Sequence, residues 1–511
     1  MKQCLLILFV FVSAVKSVAQ VGIGTGTPHQ SALLEVSASN KGFRPPYMST
    51  AQKMAITNPA EGLIVYDYSQ QALNVYNTTK GWERILSQQF SIYSHPSDIS
   101  TNTSGSGNRY GAAVSIGNMT GNGLVLVGVP GNSNREGSAE ILVYHPVSGK
   151  LIKNFLLNPA DLLAGDQFGY AVATDRLNAS ADMVVAAPFS EEGAFENAGS
   201  VYFYNSNTLR NQALAPPARQ AANAKFGRSV DIAGNSTTGK GFAIIGAPGA
   251  NASKGEAYIY EYNPNSLAWE HKATLTDNLG AVADSFGFSV AIHYKADADT
   301  GWAFVGAPYD EEGGFPDAGS VTAFRKAAGS SLWTRVGKFS AFGSASHGLF
   351  GYALAPLMTC GKVLITAPAS IGTIYDCTLS NLSGNVATFN NVPLPNSTSF
   401  GFGGIPGVGV SLSAMAAGNN CDEIYAAAGS GSGYLLASAV FSYGFISLYE
   451  FDGSSWQIRE RQMIDPIDMQ SGSGFGKAVS VNSNRRSIVI GASTQSVNGN
   501  ISQGKIQARQ F

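Results

Sequence analysis

The chain has 511 residues, of which 13% are charged, and a formal net charge of −2. So thin and balanced a charge excludes the basic stripe that nucleic-acid binding requires. Hydrophobic residues at 44% allow a well-buried core, and 59 glycines against 21 prolines mark a turn-rich chain rather than a disordered one.

The first residues, "MKQCLLILFVFVSAVKSVAQ", combine charged Lys2, a short apolar run over 5–15 and the small residues Ser17, Val18 and Ala19. That order predicts a signal peptide over 1–19, cleaved near Ala19, and a protein secreted or held at the outer cell surface. The run is short for a membrane span, and no later segment is long and apolar enough to make one. Cys4 lies before the run, so no lipid anchor is expected.

Residues 20–82 have a grammar of their own: "GIGTGTP", "SALLEV", "KGFRPPYMSTAQ", "GLIVYD" and "ALNVYN". "SALLEV" and "GLIVYD" read as strands, and "STAQKMAI" as a short helix with Ser49 as its N-cap. These phrases resemble an N-terminal module of exported surface proteins of Gram-negative bacteria, some of them fibre-like. The resemblance implies trimerisation or attachment, and hence a homo-oligomer formed through this module.

Beyond residue 90 one phrase recurs. "FGYAVATDRLNASADMVVAAP" begins at Phe168, "FGRSVDIAGNSTTGKGFAIIGAP" at Phe226, "FGFSVAIHYKADADTGWAFVGAP" at Phe286 and "FGYALAPLMTCGKVLITAP" at Phe350. Looser copies begin at Tyr110, Val408 and Phe475, and the seven closing positions are spaced 58 to 64 residues apart. A period held that often is an architecture. In the repeat at Phe286, "FGFSVAIHY", "WAFVGAP", "SVTAFRK" and "WTRVGKFSAF" read as four strands, with turns and one long polar loop between them. A lone four-stranded sheet leaves both faces wet, whereas seven in a ring bury them against one another. The expected fold is therefore all-β: a seven-bladed β-propeller of four-stranded antiparallel blades over 83–511, preceded by a small mixed N-terminal module over 20–82.

Phe-Gly at 168–169, 226–227, 286–287, 350–351 and 475–476, the Ala-Pro closers, and "GSVYFY", "GEAYIY" and "GSVTAF" together resemble FG-GAP repeats, the unit of the integrin α-subunit propeller. The same family occurs in bacterial exported proteins. Integrin-type repeats often hold Ca²⁺ in the turn between the first two strands, which needs six to eight oxygen ligands. Here none of those turns carries a D-x-[DN]-x-[DN]-G run. The best donors are Asp175, Asn178 and Asp182 in one turn and Asp297 and Asp299 in another, and polar hairpin turns without metal are expected. No cofactor is expected.

The loops after the second strands are richer in acid. "FSEEGAFENAG" over 189–199 and "YDEEGGFPDAG" over 309–319 are near copies, carrying Glu191, Glu192, Glu196, Asp310, Glu311, Glu312 and Asp317. The resemblance implies that they lie on the rim where integrins bind ligands. One reading is a binding face for a protein or glycan; the other is turn capping and solvation. Trp269, Trp333 and Trp456 each open a fourth strand, where outer-strand packing competes with a sugar platform. The six histidines form no H-x-x-H or H-E-x-x-H, there is no G-x-S-x-G, and "GFGGIPGVG" lacks the strand and helix of a dinucleotide site.

Of the three cysteines of the mature chain, Cys360, Cys377 and Cys421, an exported protein could pair two and leave one free; Cys360 and Cys421 occupy equivalent places in neighbouring repeats, which argues for turn positions more than for a designed bridge. The last repeat offers three strands, ending with "GKIQARQF" over 504–511. "WERILSQQFSIYS" over 82–94 resembles a fourth strand, and residues 83–94 are expected to pair with 504–511. The function that fits these features is non-enzymatic binding or adhesion by an exported protein. The alternatives are a structural envelope-assembly component and a propeller hydrolase or lyase.

Overall fold

The computed structural model describes residues 21–84 and 107–510, apart from residues 28, 69–71, 79–80, 118–122, 146–149, 177–180, 206–211, 215–220, 235–237, 279, 342–346, 369–372, 381–387, 394–410, 418–419, 431–433, 437–438, 442–444, 452–454, 464–474, 483–486 and 495–503. The chain divides into two compact units, 1–88 and 89–511.

In the first unit Tyr47–Met48 pairs in parallel with Ile64–Asp67, which continues antiparallel through Ala72–Asn77 to Gly81–Arg84. A second, two-stranded sheet joins Val21–Ile23 to Leu34–Val36. The helix Thr50–Met54 starts where the sequence predicts. Ser49 accepts from the Gln52 N–H while the Gln52 side chain accepts from the Ser49 N–H, a reciprocal capping box. This helix carries Lys53 into the unit's interior, against Asp67 at 2.9 Å and the Asn74 side chain at 3.0 Å, all three almost fully buried. Around this polar centre the surface is unusually apolar: Leu33, Leu34, Phe43, Tyr47 and Ile64 are exposed.

The second unit is all-β. Among its described residues are six four-stranded antiparallel sheets and one of three strands, besides a small two-stranded hairpin. The fourth repeat, expected to hold four strands, has them at Ser289–Lys295, Thr300–Ala307, Ser320–Lys326 and Trp333–Phe339, hydrogen-bonded in chain order. The second strands are the most deeply buried elements, as in Gly241–Ala247, where every residue is buried.

The recurring phrase is explained by how one repeat meets the next. The aromatic residues Tyr110, Phe168, Phe226, Phe286, Phe350 and Phe475 are each at most 2% exposed. The Phe286 N–H donates to the Lys254 carbonyl of the previous repeat at 3.0 Å, and Phe168, Phe226 and Phe350 repeat this with Glu136, Ala198 and Ala318. Gly255, at φ +89°, lies so close to the Phe286 backbone that a Cβ there would overlap it. The glycine of Gly-Ala-Pro has the same duty: a Cβ on Gly246 would overlap the Gly287 carbonyl. Phe-Gly and Gly-Ala-Pro are thus two halves of one inter-repeat contact.

First strands of successive repeats are neighbours throughout: Ala171–Arg176 beside Ala113–Gly117, Ser229–Gly234 beside Ala171–Arg176, and so on to Phe475–Asn482 beside Ser411–Ala417. Phe475–Asn482 also lies beside Ala113–Gly117 of the first repeat. There Tyr110 bridges Gly504 as Phe286 bridges Gly255, and Tyr110, Ile116 and Val127 share a core with Ala478, Val489 and Ile506.

Two expectations are corrected. Glu83 and Arg84, the first residues of the segment expected to complete the last sheet, pair instead with Val75 and Asn74 in the first unit. A tryptophan followed by alternating residues suits any edge strand, and here it pairs within the first unit; residues 85–94 lie outside the described ones. Among the described residues the last sheet is Phe475–Asn482, Ser487–Ala492 and Lys505–Gln510. Cys360 is disulfide-bonded, where the sequence favoured a plain turn position. Cys377 is a free, buried thiol.

Candidate functional site

The two acidic loops fold alike. In one, Glu192 and Phe195 exchange both backbone hydrogen bonds; in the other, Glu312 and Phe315 do the same. Each makes a tight reverse turn through a left-handed glycine, Gly193 or Gly313, and leaves Phe195 or Phe315 exposed at its tip. Glu191, Glu196 and Glu311 are exposed, while Glu192, Glu312 and Asp317 are half-buried. Asp310 belongs to the loop's inner wall: it is buried, accepts from the Ser320 hydroxyl at 2.5 Å and pairs with Lys338 at 2.6 Å. Lys338 also reaches Asp277 at 3.0 Å and Glu312 at 3.6 Å. Burial alone would lower the lysine's pKa, but hydrogen bonds to Asp310 and Asp277 outweigh it and hold the pKa above the ordinary value. Asp317 is bonded to His347 Nδ1 at 2.9 Å. Of the seven acids, Glu191, Glu196 and Glu311 have no ion-pairing base among the described contacts.

The turn acids are engaged by neighbouring groups of the protein. Asp175 and Asp182 face each other across the first two strands of their sheet. Asp175 accepts from the Gly234 N–H of the next repeat at 3.0 Å, and buried Asp182 accepts from Asn205 at 3.1 Å. Asn178 lies outside the described residues. Asp297 is exposed and near Lys295 at 3.8 Å. Asp299 is engaged by Lys326 at 3.0 Å, Lys240 at 3.7 Å and the Tyr294 hydroxyl at 2.9 Å. The hydrogen bond from Lys326 is the largest of the effects that hold its carboxyl below the ordinary range, against the upward pull of burial. Its oxygens are satisfied by ammonium groups that would repel a cation. Among the described residues no three acids, histidines or cysteines converge as a metal site would require.

The tryptophans pack between repeats. Trp269 stacks on Phe203 of the previous repeat at 4.6 Å, Trp333 meets Phe242 edge-on at 5.6 Å, and Trp456 donates to Asp376 at 2.9 Å.

A different set of residues comes together at the position just after each Phe-Gly. Arg228 lies over the Tyr170 ring at 5.2 Å and the Phe288 ring at 4.3 Å, and Phe288 meets Tyr352 at 4.8 Å. These are the equivalent residues of the second to fifth repeats. The seventh contributes Lys477, whose pKa is lowered first by burial and then by the charges of Arg109 and Arg228. Phe189 and Tyr309, which open the acidic loops, touch Tyr170 and Phe288 respectively. Sequence reading missed this cluster because its members differ in chemistry from repeat to repeat. The signal available was the shared register.

A family described as the phage tail-like trimerisation region matches residues 22–104. The match begins with the first unit and runs past residue 82. No curated protein matches the chain. No helix among the described residues is long and apolar enough to cross a membrane.

Proposed function

We propose that this chain is an exported, non-enzymatic binding protein: a seven-bladed FG-GAP-type propeller that presents a ligand-binding rim, carried on a trimerising N-terminal unit. The observation that carries the propeller reading is the return of the seventh repeat to the first, through the Tyr110–Gly504 bridge and the core they share. Seven sheets whose first strands are neighbours in succession, the last beside the first, are what a ring of blades requires.

Binding is supported by the rim. Two loops of the same shape hold exposed glutamates and a phenylalanine on stiff hairpins anchored by Lys338 and Ser190. A rigid, acidic and partly aromatic projection suits recognition better than it suits a chemical step. Export is supported by the signal-like first residues and by the Cys360 disulfide, a bond that persists in oxidising compartments. Trimerisation is supported by the family match and by the exposed apolar side chains of the first unit, a surface that association would cover.

The test is a glycan and protein-ligand array probed with the mature chain and with a Glu191→Gln, Glu192→Gln, Glu311→Gln variant. Selective binding that the variant loses, with an unchanged melting curve, supports the rim. Identical profiles overturn it. Light scattering on the same samples reads the oligomer: three copies are expected, and Phe43→Asp with Leu34→Asp should give monomers. Stable trimers with no ligand on any array would favour the alternative, a structural assembly component of the envelope.

A further inference from the structure

We propose that the first unit cross-links itself. The Lys53 amine displaces ammonia from the Asn74 side-chain amide, with Asp67 carrying the protons, and an amide bond then ties the helix Thr50–Met54 to the strand Ala72–Asn77. This chemistry belongs to the first unit alone and is independent of the propeller and its rim.

The core of this unit is small and mostly polar. Among its described residues only Lys53, Val65, Asp67 and Asn74 are buried, none more than 2% exposed. One valine cannot hold a fold of this length by apolar burial, and small domains with thin cores rely on a staple or a partner. Residues 20–88 include no cysteine, so a disulfide is not open to the unit. Association through the exposed apolar side chains would cover the surface and leave this centre as it is. A buried ion pair often stabilises no more than apolar side chains of the same volume, so packing alone does not account for the three polar groups.

Those groups are set as a nucleophile, an electrophile and a proton carrier. Val65 and Asp67 share one face of their strand, and Val65 pairs with Asn74 on the next, which makes Asn74 the diagonal neighbour of Asp67. Lys53 Nζ is 2.9 Å from Asp67 Oδ2 and 3.0 Å from Asn74 Oδ1. Lysine can only donate, so the amide turns its carbonyl oxygen toward Nζ, and Cγ lies one bond beyond. Groups held at about 3–3.5 Å react as if at very high concentration. The Thr50 hydroxyl, 2.8 Å from Asp67 Oδ2, fixes the carboxylate, and the Trp82 ring lies 5.9 Å from Nζ. Burial keeps water from competing for the amide carbon.

The atoms balance without a co-reactant. The Lys53 ammonium gives one proton to the Asp67 carboxylate across their contact, which leaves an amine, an acid and no buried charge. The amine's lone pair forms a bond to Asn74 Cγ, and the carbonyl π electrons move to Oδ1. Asp67 gives its proton to Nδ2 and takes one from Nζ. The Cγ–Nδ2 bond breaks, the carbonyl re-forms, and ammonia leaves. Ammonia takes the proton from Asp67 on its way out, so the products are one amide, one ammonium ion and the original carboxylate.

The experiment is peptide mass mapping of the mature full-length protein, denatured and cut with trypsin. Trypsin does not cut after a lysine whose amine is acylated, nor at Arg44, which precedes a proline. The expected product is one peptide, 42–80, uncut at Lys53 and lighter than its sequence by one ammonia. Cleavage after Glu61 should leave its two halves joined. Separate peptides 42–53 and 54–80 at their sequence masses overturn the proposal, as does an ammonia loss that maps only to Gln20. This reading is made on the wild-type chain, so no folding defect of a variant can obscure it. Lys53→Met and Asn74→Ala should each abolish the joined halves, and their persistence in either variant would place the bond elsewhere and overturn the assignment. Asp67→Asn should lower the cross-linked fraction at least about tenfold. Asp67→Glu, which keeps the acid, should restore part of it. Equal loss in both, or a wild-type fraction in Asp67→Asn, would overturn the role of Asp67 as proton carrier.

Discussion

The backbone N–H of Ile116 donates to the Ser480 hydroxyl at 3.0 Å, across 364 residues of chain. The same bond recurs between successive repeats, each time from a first-strand N–H to a side chain of the repeat before it. Thr174 donates to Ser115 at 3.1 Å, Gly234 to Asp175 at 3.0 Å and Ile292 to Asp231 at 2.8 Å. First strands lie at a sheet edge, where their N–H groups lack a ladder partner, and the neighbouring repeat supplies one. Ser480 does for the first repeat what Ser115 does for the second.

Ser480→Ala should therefore lower the stability of the whole second unit by about 1–3 kcal/mol, the cost of orphaning a buried donor. Ser480→Thr, which keeps the hydroxyl, should lose less. Denaturant unfolding followed by tryptophan fluorescence reads both.

Gly504→Ala should cost more than an ordinary glycine substitution. Gly504 sits at φ +83°, and a Cβ there would overlap the Tyr110 backbone. Gly329 is the comparison: φ is +68°, with open space around it. The left-handed conformation alone costs about 1–2 kcal/mol, so Gly329→Ala should stay near that figure and Gly504→Ala should exceed it.

Asp67→Ala should unfold the first unit at lower denaturant than wild type, with a loss of about 3–5 kcal/mol, because it strands a buried ammonium. The carboxylate holds both Lys53 at 2.9 Å and the Thr50 hydroxyl at 2.8 Å. Combining Asp67→Ala with Lys53→Met should recover part of the loss, since the uncompensated charge is then gone.

Stability should carry a pH signature from Asp231. Burial is the main cause that raises its pKa from 3.8 to about 7, and nearby Asp175 adds to it. Between those values the folded chain holds a proton that the unfolded chain has released. Stability therefore falls as pH rises from about 4 to about 7 on account of this group. His293 acts oppositely: burial lowers its pKa from 6.5 to about 4, so stability rises with pH over that range. The difference between wild type and Asp231→Asn isolates the aspartate. That difference should grow in favour of the variant as pH rises, and a flat difference would contradict the assignment.

Reduction should weaken the fifth repeat. With Cys360 in a disulfide, a reducing agent should cost about 2–5 kcal/mol, read by denaturation with and without phosphine. Cys377→Ala should leave that response in place, because its thiol is free.

The repeating sheets were legible in the sequence because close backbone approach leaves little freedom of residue choice. Gly246 must yield to the Gly287 carbonyl, and Phe286 must fill the space between two sheets. Strand periodicity did the rest, and Ser49 with Gln52 announced the helix. The site was less legible. Asp310 reads from sequence as one more rim acid, since only folding reveals that Lys338 comes up beneath it. The Arg228–Phe288 contact joins repeats whose shared register is plain but whose side chains differ, so no pattern marks it. Glu83 and Arg84 were misassigned because local alternation does not say which strand a segment pairs with.

The Ile116–Ser480 contact also sets a timetable. At about 5–20 residues per second, translation needs roughly 20–70 s to supply the 364 residues that separate donor from acceptor. Until then the Ala113–Gly117 edge and the Tyr110 ring have no lasting cover, and a bare strand edge invites pairing with other chains. A stacked array can settle repeat by repeat as it emerges, but a chain whose last strands shelter its first cannot. Its newborn copies must be kept apart for about a minute, which makes crowding during synthesis, more than heat, the condition under which aggregation first threatens this protein.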